Sequence, residues 1–365
     1  MLKKISKLPL ITSFSSIFLI VVVISVVIFI SFFFVKSIIQ NSENELQHNY
    51  LVAKSFSVSS QWLKGVSEIR DYKVLVEDEF NPIVFVSGLN NPTQLEVIPD
   101  STGLERYVIV VESKFGNLVF LEDTDGDGSV DYKQIYDTNL SNPWGIFYYN
   151  NDLYVAQKNN ILVYRNFLQN YISKKPLVKE IVIANLPSLA GEDYKSIYVK
   201  NDILYVAVAS SCVNSTCVES DLRRASIVGY DLKTKNEEIF TKGLKSVPDF
   251  LNDGNVFYVA DLNSVNKNPE ISVVKKGSKL MYSSLPISSK PTSLEIHDEY
   301  LFSILSGEKK IIKYNINDSA PIFKDFAVFD SKSTLFDIVD VKNYQSGFLV
   351  SDNKGAIYYL KSNIR

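Results

Sequence analysis

Residues 204–207 read Leu-Tyr-Val-Ala, and variants of this short run recur along most of the chain. Every copy is rich in aromatic, aliphatic and β-branched residues, which suits a buried strand. The copies are Tyr107-Val108-Ile109-Val110, Leu153-Tyr154-Val155-Ala156, Leu204-Tyr205-Val206-Ala207, Phe257-Tyr258-Val259-Ala260, Leu301-Phe302-Ser303-Ile304 and Phe348-Leu349-Val350-Ser351. Their aromatic residues are spaced by 44 to 53 residues. Such regular self-similarity indicates a repeat architecture built from one supersecondary unit.

The neighbours of each copy recur as well. A proline often opens an apolar run ten to fifteen residues upstream, at Pro92, Pro143, Pro248 and Pro291. A second strand follows most copies, and a third can be traced after it. Four short strands in about 45 residues are typical of one propeller blade, and four to eight blades close a ring. The sequence therefore predicts an all-β, six-bladed β-propeller over residues 80–365, whereas a β-sandwich would need the six copies to be in register by accident.

The two ends of the repeat region predict how the ring closes. The last copy reaches the C-terminus without an outer strand, while Ile83-Val84-Phe85-Val86 precedes the first copy and has no blade of its own. Pairing these two parts would complete the sixth blade and protect an edge that an open propeller would expose.

A long apolar segment precedes the repeats, since residues 10–35 contain no charged side chain. About 20 apolar residues are enough to cross a bilayer as a helix. Lysines are in excess on the N-terminal side, which favours a cytoplasmic N-terminus. A cleaved signal peptide would have a shorter apolar core and small residues where Phe32-Phe33-Phe34 stand. We therefore predict a cytoplasmic tail (1–9), a transmembrane helix (10–35), a stalk or linker (36–79) and an extracytoplasmic propeller domain, all in one single-pass protein of the plasma membrane.

Residues 123–131 read Asp-Thr-Asp-Gly-Asp-Gly-Ser-Val-Asp and suggest a metal site. The candidate ligands are the carboxylates of Asp123, Asp125, Asp127 and Asp131 and the backbone carbonyl of Ser129. Ca²⁺ prefers six to eight oxygen ligands, and carboxylates this close repel one another without a cation. The loop resembles calcium loops of the EF-hand and integrin-propeller types. Gln134 replaces the twelfth-position Glu of an EF-hand, so we predict a structural Ca²⁺ site in a hairpin; the alternative is a solvated acidic turn.

The chain has two cysteines, Cys212 and Cys217, with no histidine or further cysteine nearby. Outside the cytoplasm such a pair predicts a disulfide rather than a metal site. Asn139, Asn214 and Asn317 each open an Asn-x-Ser/Thr sequon, which suits surface loops of an exported protein.

The third repeat carries motifs of greater specificity. After the strand at 204–207 come Ser210-Ser211-Cys212, the second cysteine, and Arg223-Arg224-Ala225-Ser226-Ile227. In this order they resemble the glucose/sorbosone dehydrogenase family. The resemblance spans about residues 80–365, and it implies a six-bladed propeller that oxidises sugars with pyrroloquinoline quinone (PQQ).

The sequence departs from this family at the catalytic positions. The family has a Gly-His segment that supplies the general base, followed a few residues later by Arg. The matching stretch here begins at Gly191 and places Glu192 and Lys195 at those two positions. The chain has only two histidines, His48 and His297, and both lie elsewhere. A carboxylate can act as the base only within hydrogen-bond reach of the substrate hydroxyl and with a raised pKa.

Two main hypotheses for function follow. The first is an anchored binding module with an eroded active site, whose partner is a glycan, a small sugar or a membrane protein. The second is a PQQ-dependent oxidoreductase acting on an extracellular sugar or aldehyde. A hydrolase or lyase on the same scaffold is a third hypothesis, since a propeller fold alone does not decide function.

The candidate residues are Glu192 and Lys195 for catalysis and Arg223 and Arg224 for ligand binding, each with the alternative of a solvated surface charge. A net charge of −3 with both signs interspersed argues against nucleic-acid binding.

Overall fold

β-Strands dominate the computed structural model, which describes residues 72–188, 194–212, 217–254, 256–262, 270–276, 283–318, 322–331 and 336–363. The first strands are β1 (Tyr72–Val76) and β2 (Phe80–Val86). Blade 1 consists of β3 (Gln94–Pro99), β4 (Glu105–Glu112), β5 (Asn117–Glu122) and β6 (Tyr132–Asp137). Blade 2 consists of β7 (Ile146–Tyr149), β8 (Asp152–Ala156), β9 (Ile161–Tyr164) and β10 (Lys179–Ile183), with helix α1 (Phe167–Ile172) between β9 and β10.

The remaining strands complete four more blades. Blade 3 consists of β11 (Ile197–Lys200), β12 (Ile203–Val208), β13 (Ser226–Asp231) and β14 (Glu237–Lys242). Blade 4 consists of β15 (Asp249–Asn252), β16 (Phe257–Asp261), β17 (Glu270–Val274) and β18 (Ser283–Pro286). Blade 5 contains β19 (Lys290–His297), β20 (Tyr300–Ser306), β21 (Lys310–Asn315) and β22 (Lys324–Ser331), and blade 6 contains β23 (Ile338–Tyr344), β24 (Gly347–Asp352) and β25 (Ile357–Ser362). The predicted all-β, six-bladed propeller is confirmed.

The first strand of every blade lies on the central axis, where β3, β7, β11, β15, β19 and β23 contact one another in turn around the ring. All neighbouring strands within a blade are antiparallel. The ring therefore has two distinct ends. We call "upper" the end that carries the connections into each first strand and the turns between second and third strands. The opposite end is "lower".

The ring closes as the sequence predicted. Strand β2 pairs antiparallel with β25, with Ile83 opposite Tyr359, and so becomes the outer strand of blade 6. Strand β1 was not anticipated. It pairs with β22 as a fifth, outermost strand of blade 5, so the predicted linker 36–79 contributes a strand to the propeller.

The repeated run is apolar at successive positions because both faces of a blade are covered by its neighbours. On β4, Val108 and Val110 pack in a cluster with Tyr359 of blade 6, whereas Ile109 and Val111 pack in a cluster with Val155 of blade 2. Burying one such side chain contributes about 1.5–3 kcal/mol. The same arrangement at every interface explains why the strand motif recurs six times.

The upper connections between blades share one hydrogen-bond pattern, which accounts for the Gly-Leu and Leu-x-x-Pro segments of the sequence. A leucine N–H donates to a carbonyl of the preceding blade: Leu89 to Gly355 at 3.0 Å, Leu140 to Gly116 at 3.0 Å and Leu244 to Ala225 at 3.2 Å. The N–H of the following residue donates to a side chain that ends or follows a second strand: Asn90 to Glu112 at 2.6 Å, Ser141 to Gln157 at 2.5 Å and Lys245 to Asp261 at 3.0 Å. These segments therefore act as joints between blades.

None of the helices found among the described residues has the length and apolar character needed to span a membrane. The predicted transmembrane helix (10–35), the tail before it and the linker up to residue 71 lie outside the described residues.

Candidate functional site

Charged side chains from four blades meet at the axis of the propeller. They are Glu96 on β3, Asp249 on β15, Glu295 on β19, and Asp340 and Lys342 on β23. The first strand of each blade is an edge strand of its sheet, and its outward N–H groups need acceptors. Carboxylates supply them across three blade boundaries: Glu96 accepts the Tyr148 N–H at 2.6 Å, Asp249 the Leu294 N–H at 2.8 Å and Asp340 the Leu95 N–H at 2.6 Å. The acidic residues thus join neighbouring blades.

Lys342 is the cation shared by these four carboxylates. Its Nζ lies 3.6 Å from Glu295 Oε2, and the two side chains keep 21% and 17% of their surface exposed. Burial by itself would lower the pKa of Lys342, but the negative charges of Asp249, Asp340, Glu295 and Glu96 raise it above its ordinary value. Lys342 therefore stays protonated and balances part of the negative charge.

Burial raises the pKa values of the acidic groups. It raises the pKa of Glu96 to about 8, that of Glu295 to about 7 and that of Asp249 to about 6, although Lys342 lowers each of them. Burial also raises the pKa of Asp340. These values lie where a physiological pH change alters the protonation of the cluster.

We expect the free energy of unfolding to fall as pH rises from about 5 to about 8. A carboxyl group with a raised folded-state pKa holds its proton more tightly in the folded chain. Its stabilising contribution is complete below the unfolded pKa and is lost as pH rises through the folded pKa. Denaturant titrations across this range measure the slope. The Glu96→Gln variant keeps an acceptor oxygen for Tyr148 and should flatten the slope between about pH 6 and pH 8; an unchanged slope would contradict the assignment.

The upper mouth of the axis is covered by side chains from three blades. Gln94 Nε2 of blade 1 and Trp144 Nε1 before blade 2 both donate to the Pro248 carbonyl before blade 4, at 3.3 and 2.9 Å. The Trp144 ring lies 4.1 Å from the ring of Tyr194, centroid to centroid. Trp144 is partly exposed, so this pair presents an aromatic surface at the mouth.

Lys195, which aligns with the second of the family's catalytic positions, lies at this upper end, but its side chain is not accessible to a ligand. Lys195 is only 1% exposed, and its carbonyl accepts the Gly145 N–H at 3.1 Å. Glu192 lies outside the described residues. His297 lies at the lower end, 3.8 Å from Asp298. Among the described residues the upper end therefore contains no histidine.

The two candidate ligand-binding arginines hold loops together. Arg223 forms a double hydrogen bond with Asp221 and also donates to the Asn185 carbonyl at 3.0 Å. Its hydrogen bonds lower the pKa of Asp221 to about 2. Arg224 is 9% exposed and donates to the carbonyls of Ser188 and Ala209 at 2.8 and 3.4 Å. The structure thus brings Lys195, Arg223 and Arg224 to one end of blade 3.

The predicted disulfide between Cys212 and Cys217 is present, with the two Cα atoms 5.4 Å apart. It lies in the upper turn of blade 3. Glu219 accepts hydrogen bonds from the Ser210 hydroxyl and from the Ser211 hydroxyl and N–H. Two independent links therefore shape this turn.

Replacing both cysteines with serine should destabilise the chain only slightly. Closing such a short loop removes little unfolded-state entropy, so we expect a loss of about 2 kcal/mol or less. Thermal unfolding of the full chain measures this loss. The Glu219→Gln variant, which weakens the other link in the same turn, is the matched comparison, and a collapse of the whole fold without the disulfide would contradict the expectation.

The acidic loop connects β5 to β6 at the lower end, so strands rather than helices flank it. The carboxylates of Asp123, Asp125 and Asp131 lie within 4.8 Å of one another. Asp127 is outside this group, and its carboxylate accepts the Ser129 N–H at 2.7 Å. Asp123 is fully buried and accepts hydrogen bonds from the N–H groups of Gly126 and Gly128 and from the Tyr344 hydroxyl. The loop therefore lies in a hairpin, and three of the four predicted carboxylates converge.

Sequence reasoning missed the charged cluster at the axis. Its only local signal is an acidic residue within an apolar strand, as in Leu294-Glu295-Ile296 or Val339-Asp340-Val341. Each such residue taken alone suggests a solvent-facing position, because strands alternate their faces. Only the closed ring brings the four carboxylates and Lys342 together.

Comparisons with known proteins agree with this fold. A family model described as a domain of unknown function (DUF7133) matches residues 84–171. No curated protein sequence matches the chain. Among solved structures, the PQQ-bound aldose sugar dehydrogenase of Streptomyces coelicolor aligns with a TM-score of 0.60 at 12% identity, covering 80% of this chain and 98% of the other.

Two further solved structures give similar values. The PQQ domain of a pyranose dehydrogenase from Coprinopsis cinerea has a TM-score of 0.59 at 12% identity and covers 80% of this chain and 97% of its own. The soluble aldose sugar dehydrogenase of Escherichia coli, in its apo form, has a TM-score of 0.58 at 13% identity and covers 78% and 100%. At such low identity these likenesses concern architecture. The resemblance is thereby confirmed, and this chain is a divergent six-bladed β-propeller with the fold of the PQQ-dependent sugar dehydrogenases.

Proposed function

We propose that this chain is a membrane-anchored, extracytoplasmic binding module on a sugar dehydrogenase fold whose active site has been lost. The proposal rests on one observation: Lys195, Arg223 and Arg224 are buried or hydrogen-bonded to other groups of the protein. A ligand-binding cation needs free donors, whereas the two guanidinium groups donate to carbonyls and to Asp221. Lys195 is almost completely buried. The partner class is a glycan, a small sugar or a membrane protein.

The described residues do not fit PQQ. The cofactor is a planar polycarboxylate, so it needs accessible cations, and sugar oxidation also needs a base beside the substrate hydroxyl. At the positions aligned with the family, the described cations are buried or hydrogen-bonded to protein, and no described residue of the upper end is a histidine. We therefore derive no catalytic step for this chain.

The proposed location rests on the sequence. The uncharged segment 10–35 with lysines before it favours a single-pass anchor with the propeller outside. The disulfide suits an oxidising compartment. Alkaline extraction of membranes tests the anchor, and protease digestion of intact cells tests the side on which the propeller lies. Release at alkaline pH, or protection from the external protease, would contradict the proposal.

PQQ binding provides the decisive test between the two functions. The full chain, purified in detergent, is mixed with PQQ and Ca²⁺, and the cofactor absorbance and dye reduction with a panel of sugars are measured. We expect neither a spectral shift nor dye reduction, whereas a glycan array should reveal binding. The likeness to PQQ-bound propellers favours the alternative, an oxidoreductase that uses Glu192 as base. Dye reduction that disappears in Glu192→Gln would establish the alternative.

We also propose a structural Ca²⁺ in the acidic loop, held by Asp123, Asp125 and Asp131 with further oxygens from the loop. Asp125→Asn should lower the melting temperature only when Ca²⁺ is present, because the amide keeps an acceptor oxygen for the Asp127 N–H but removes a charged ligand of the ion. Thermal unfolding with Ca²⁺ and with a chelator measures the difference. Asp298→Asn, the same change at another exposed aspartate of the lower end, should behave like the unmodified chain in both conditions. Equal melting of the unmodified chain with and without Ca²⁺ would contradict the site.

A further inference from the structure

The exposed charges of the propeller are divided between its two ends. At the upper end Lys114, Lys290 and Lys354 are exposed, and Lys158 and Lys245 are partly exposed. At the lower end the exposed side chains include many carboxylates: Asp78, Glu79, Asp125, Asp127, Asp131, Asp298 and Glu299. The lower end also exposes lysines, among them Lys174, Lys175, Lys233, Lys235, Lys276 and Lys324. The upper end therefore exposes mainly lysines, whereas the lower end exposes charges of both signs.

The upper lysines are not neutralised by their surroundings. Lys114, Lys158 and Lys354 occupy equivalent turns of blades 1, 2 and 6, between the second and third strands. None of the carboxylates among the described residues forms an ion pair with them. The carboxylates of the described upper loops and turns are engaged with protein groups, as in the ion pairs of Asp221 with Arg223 and of Glu308 with Lys310, at 2.8 Å each. Asp330, near the upper end of β22, is exposed. In the described upper loops and turns the most exposed charged side chains are therefore lysines, whereas Glu219, Asp221 and Glu308 are only partly exposed.

Exposed apolar side chains accompany these lysines. Phe115 follows Lys114 in the turn of blade 1 and is 53% exposed. Val218 and Leu222 lie in the disulfide-bonded turn of blade 3 and are 88% and 72% exposed. A surface that combines lysines with protruding apolar residues is suited to the boundary between headgroups and acyl chains. A purely polar ligand would leave the apolar residues without a partner.

The strand that leads into the propeller begins at this same end. In β1, Tyr72 lies opposite Ser331, the upper residue of β22, and Val76 lies opposite Ala327 farther down. The chain therefore joins the propeller at its basic end. A tether that holds a surface near its partner raises the effective concentration, so a weak attraction is sufficient.

We propose that the upper end of the propeller docks onto the membrane surface by binding the phosphates of anionic phospholipids. This inference rests on the proposed anchored binding module and names its partner. Lys114, Lys158, Lys245, Lys290 and Lys354 supply the attraction, and the apolar side chains of the blade 1 and blade 3 turns enter the interface. The lower end, which exposes charges of both signs, then faces away from the membrane. At 1 M ionic strength, charges farther apart than about 3 Å are screened from one another. High salt should therefore weaken the docking.

Lysine labelling on the full chain in vesicles tests this orientation. The chain is reconstituted in phosphatidylcholine vesicles with or without about 30% phosphatidylglycerol, an anionic lipid that attracts basic segments. An amine-reactive reagent is added briefly, and mass spectrometry gives a labelling rate for each lysine. We expect the upper lysines to react at least about five-fold more slowly on anionic vesicles, and to recover at about 1 M salt. Lys174, Lys175 and Lys235, exposed in lower loops, should react equally on both.

Charge-reversed variants sharpen the test. The triple variant Lys114→Glu, Lys158→Glu, Lys354→Glu should abolish the protection of Lys245 and Lys290. The matched variant Lys174→Glu, Lys175→Glu, Lys235→Glu, with the same charge change at the lower end, should leave it intact.

Equal upper-end labelling on both vesicles would overturn the proposal. So would protection by a soluble acidic polysaccharide on neutral vesicles without protection by anionic lipid, since that result assigns the surface to a glycan. Retention of the chain in the vesicles at alkaline pH is scored separately, so failure of the anchor is distinguished from failure of docking.

Discussion

Replacing Lys342 with methionine is expected to lower the free energy of unfolding by about 3–5 kcal/mol at pH 8, the typical cost of removing one partner from a buried charged cluster. The charge of Lys342 acts on Asp249, Asp340, Glu295 and Glu96, and its Nζ lies 3.6 Å from Glu295 Oε2. Without it, the four carboxylates repel one another across the axis. Three of them also accept N–H groups across blade boundaries, so their repulsion acts directly on the joints of the ring.

The loss should depend on pH, and its sign is fixed by the raised pKa values. At about pH 5 the carboxyl groups whose pKa values are raised to between about 6 and 8 are largely protonated in the folded chain, so little charge remains for Lys342 to balance. The variant should therefore lose much less stability at pH 5 than at pH 8. Urea titrations at the two pH values measure the difference. Lys175→Met, an exposed lysine of a lower loop, is the control and should change stability by about 0.5 kcal/mol at most.

A second substitution separates charge from packing. If repulsion causes the loss, adding Asp340→Asn to Lys342→Met should recover part of the stability, because one negative charge is removed. If Lys342 acts only through the packing of its aliphatic stem, the double variant should be the less stable one. An equal loss at pH 5 and pH 8 would likewise contradict the electrostatic explanation.

The fold could be predicted because the decisive information is local and repeated. The second strand of each blade is buried on both faces. Its run of apolar residues can therefore be recognised in the sequence without knowing which strands pack against it. Closure could be predicted because Ile83-Val84-Phe85-Val86 is a strand without a blade and the last repeat lacks a strand. Strand β1 could not be predicted in the same way. Val74-Leu75-Val76 is a short apolar run, and only the free edge of blade 5 determines that it pairs there.

The candidate site was only partly predictable for a related reason. Glu192, Lys195, Arg223 and Arg224 were predicted as candidate site residues, and the structure brings the three described ones to the same end of blade 3. The accessibility of the two arginines depends on contacts with the loop at residues 184–188, whose carbonyls accept their hydrogen bonds. Similarly, Leu95 and Asp340 are 245 residues apart and meet only because the ring closes. Contacts of this kind follow from ring geometry and leave no local pattern.

Replacing Gly355 with alanine is expected to destabilise the protein by about 2–5 kcal/mol, from about 1–2 kcal/mol for the left-handed conformation and about 1–3 kcal/mol for a forced shift in a packed region. Gly355 has a φ of +103°, and a Cβ there would lie 2.1 Å from the Leu89 carbonyl oxygen. The Leu89 N–H donates to the Gly355 carbonyl at 3.0 Å, so the two backbones are held together at the boundary between blades 6 and 1. This boundary closes the ring, and either the close approach or the hydrogen bond has to yield.

Gly103→Ala is the matched control for the cost of placing an L-residue in a left-handed backbone conformation. Gly103 has a similar φ of +86°, but nothing lies within 4 Å of the position its Cβ would take. It should cost only about 1–2 kcal/mol, the penalty for an L-residue in the left-handed region. The difference between the two variants in urea titrations therefore measures the close approach at the closing joint. If Gly355→Ala costs no more than Gly103→Ala, the joint adapts freely, and the contact between Leu89 and Gly355 is not what holds the last blade against the first.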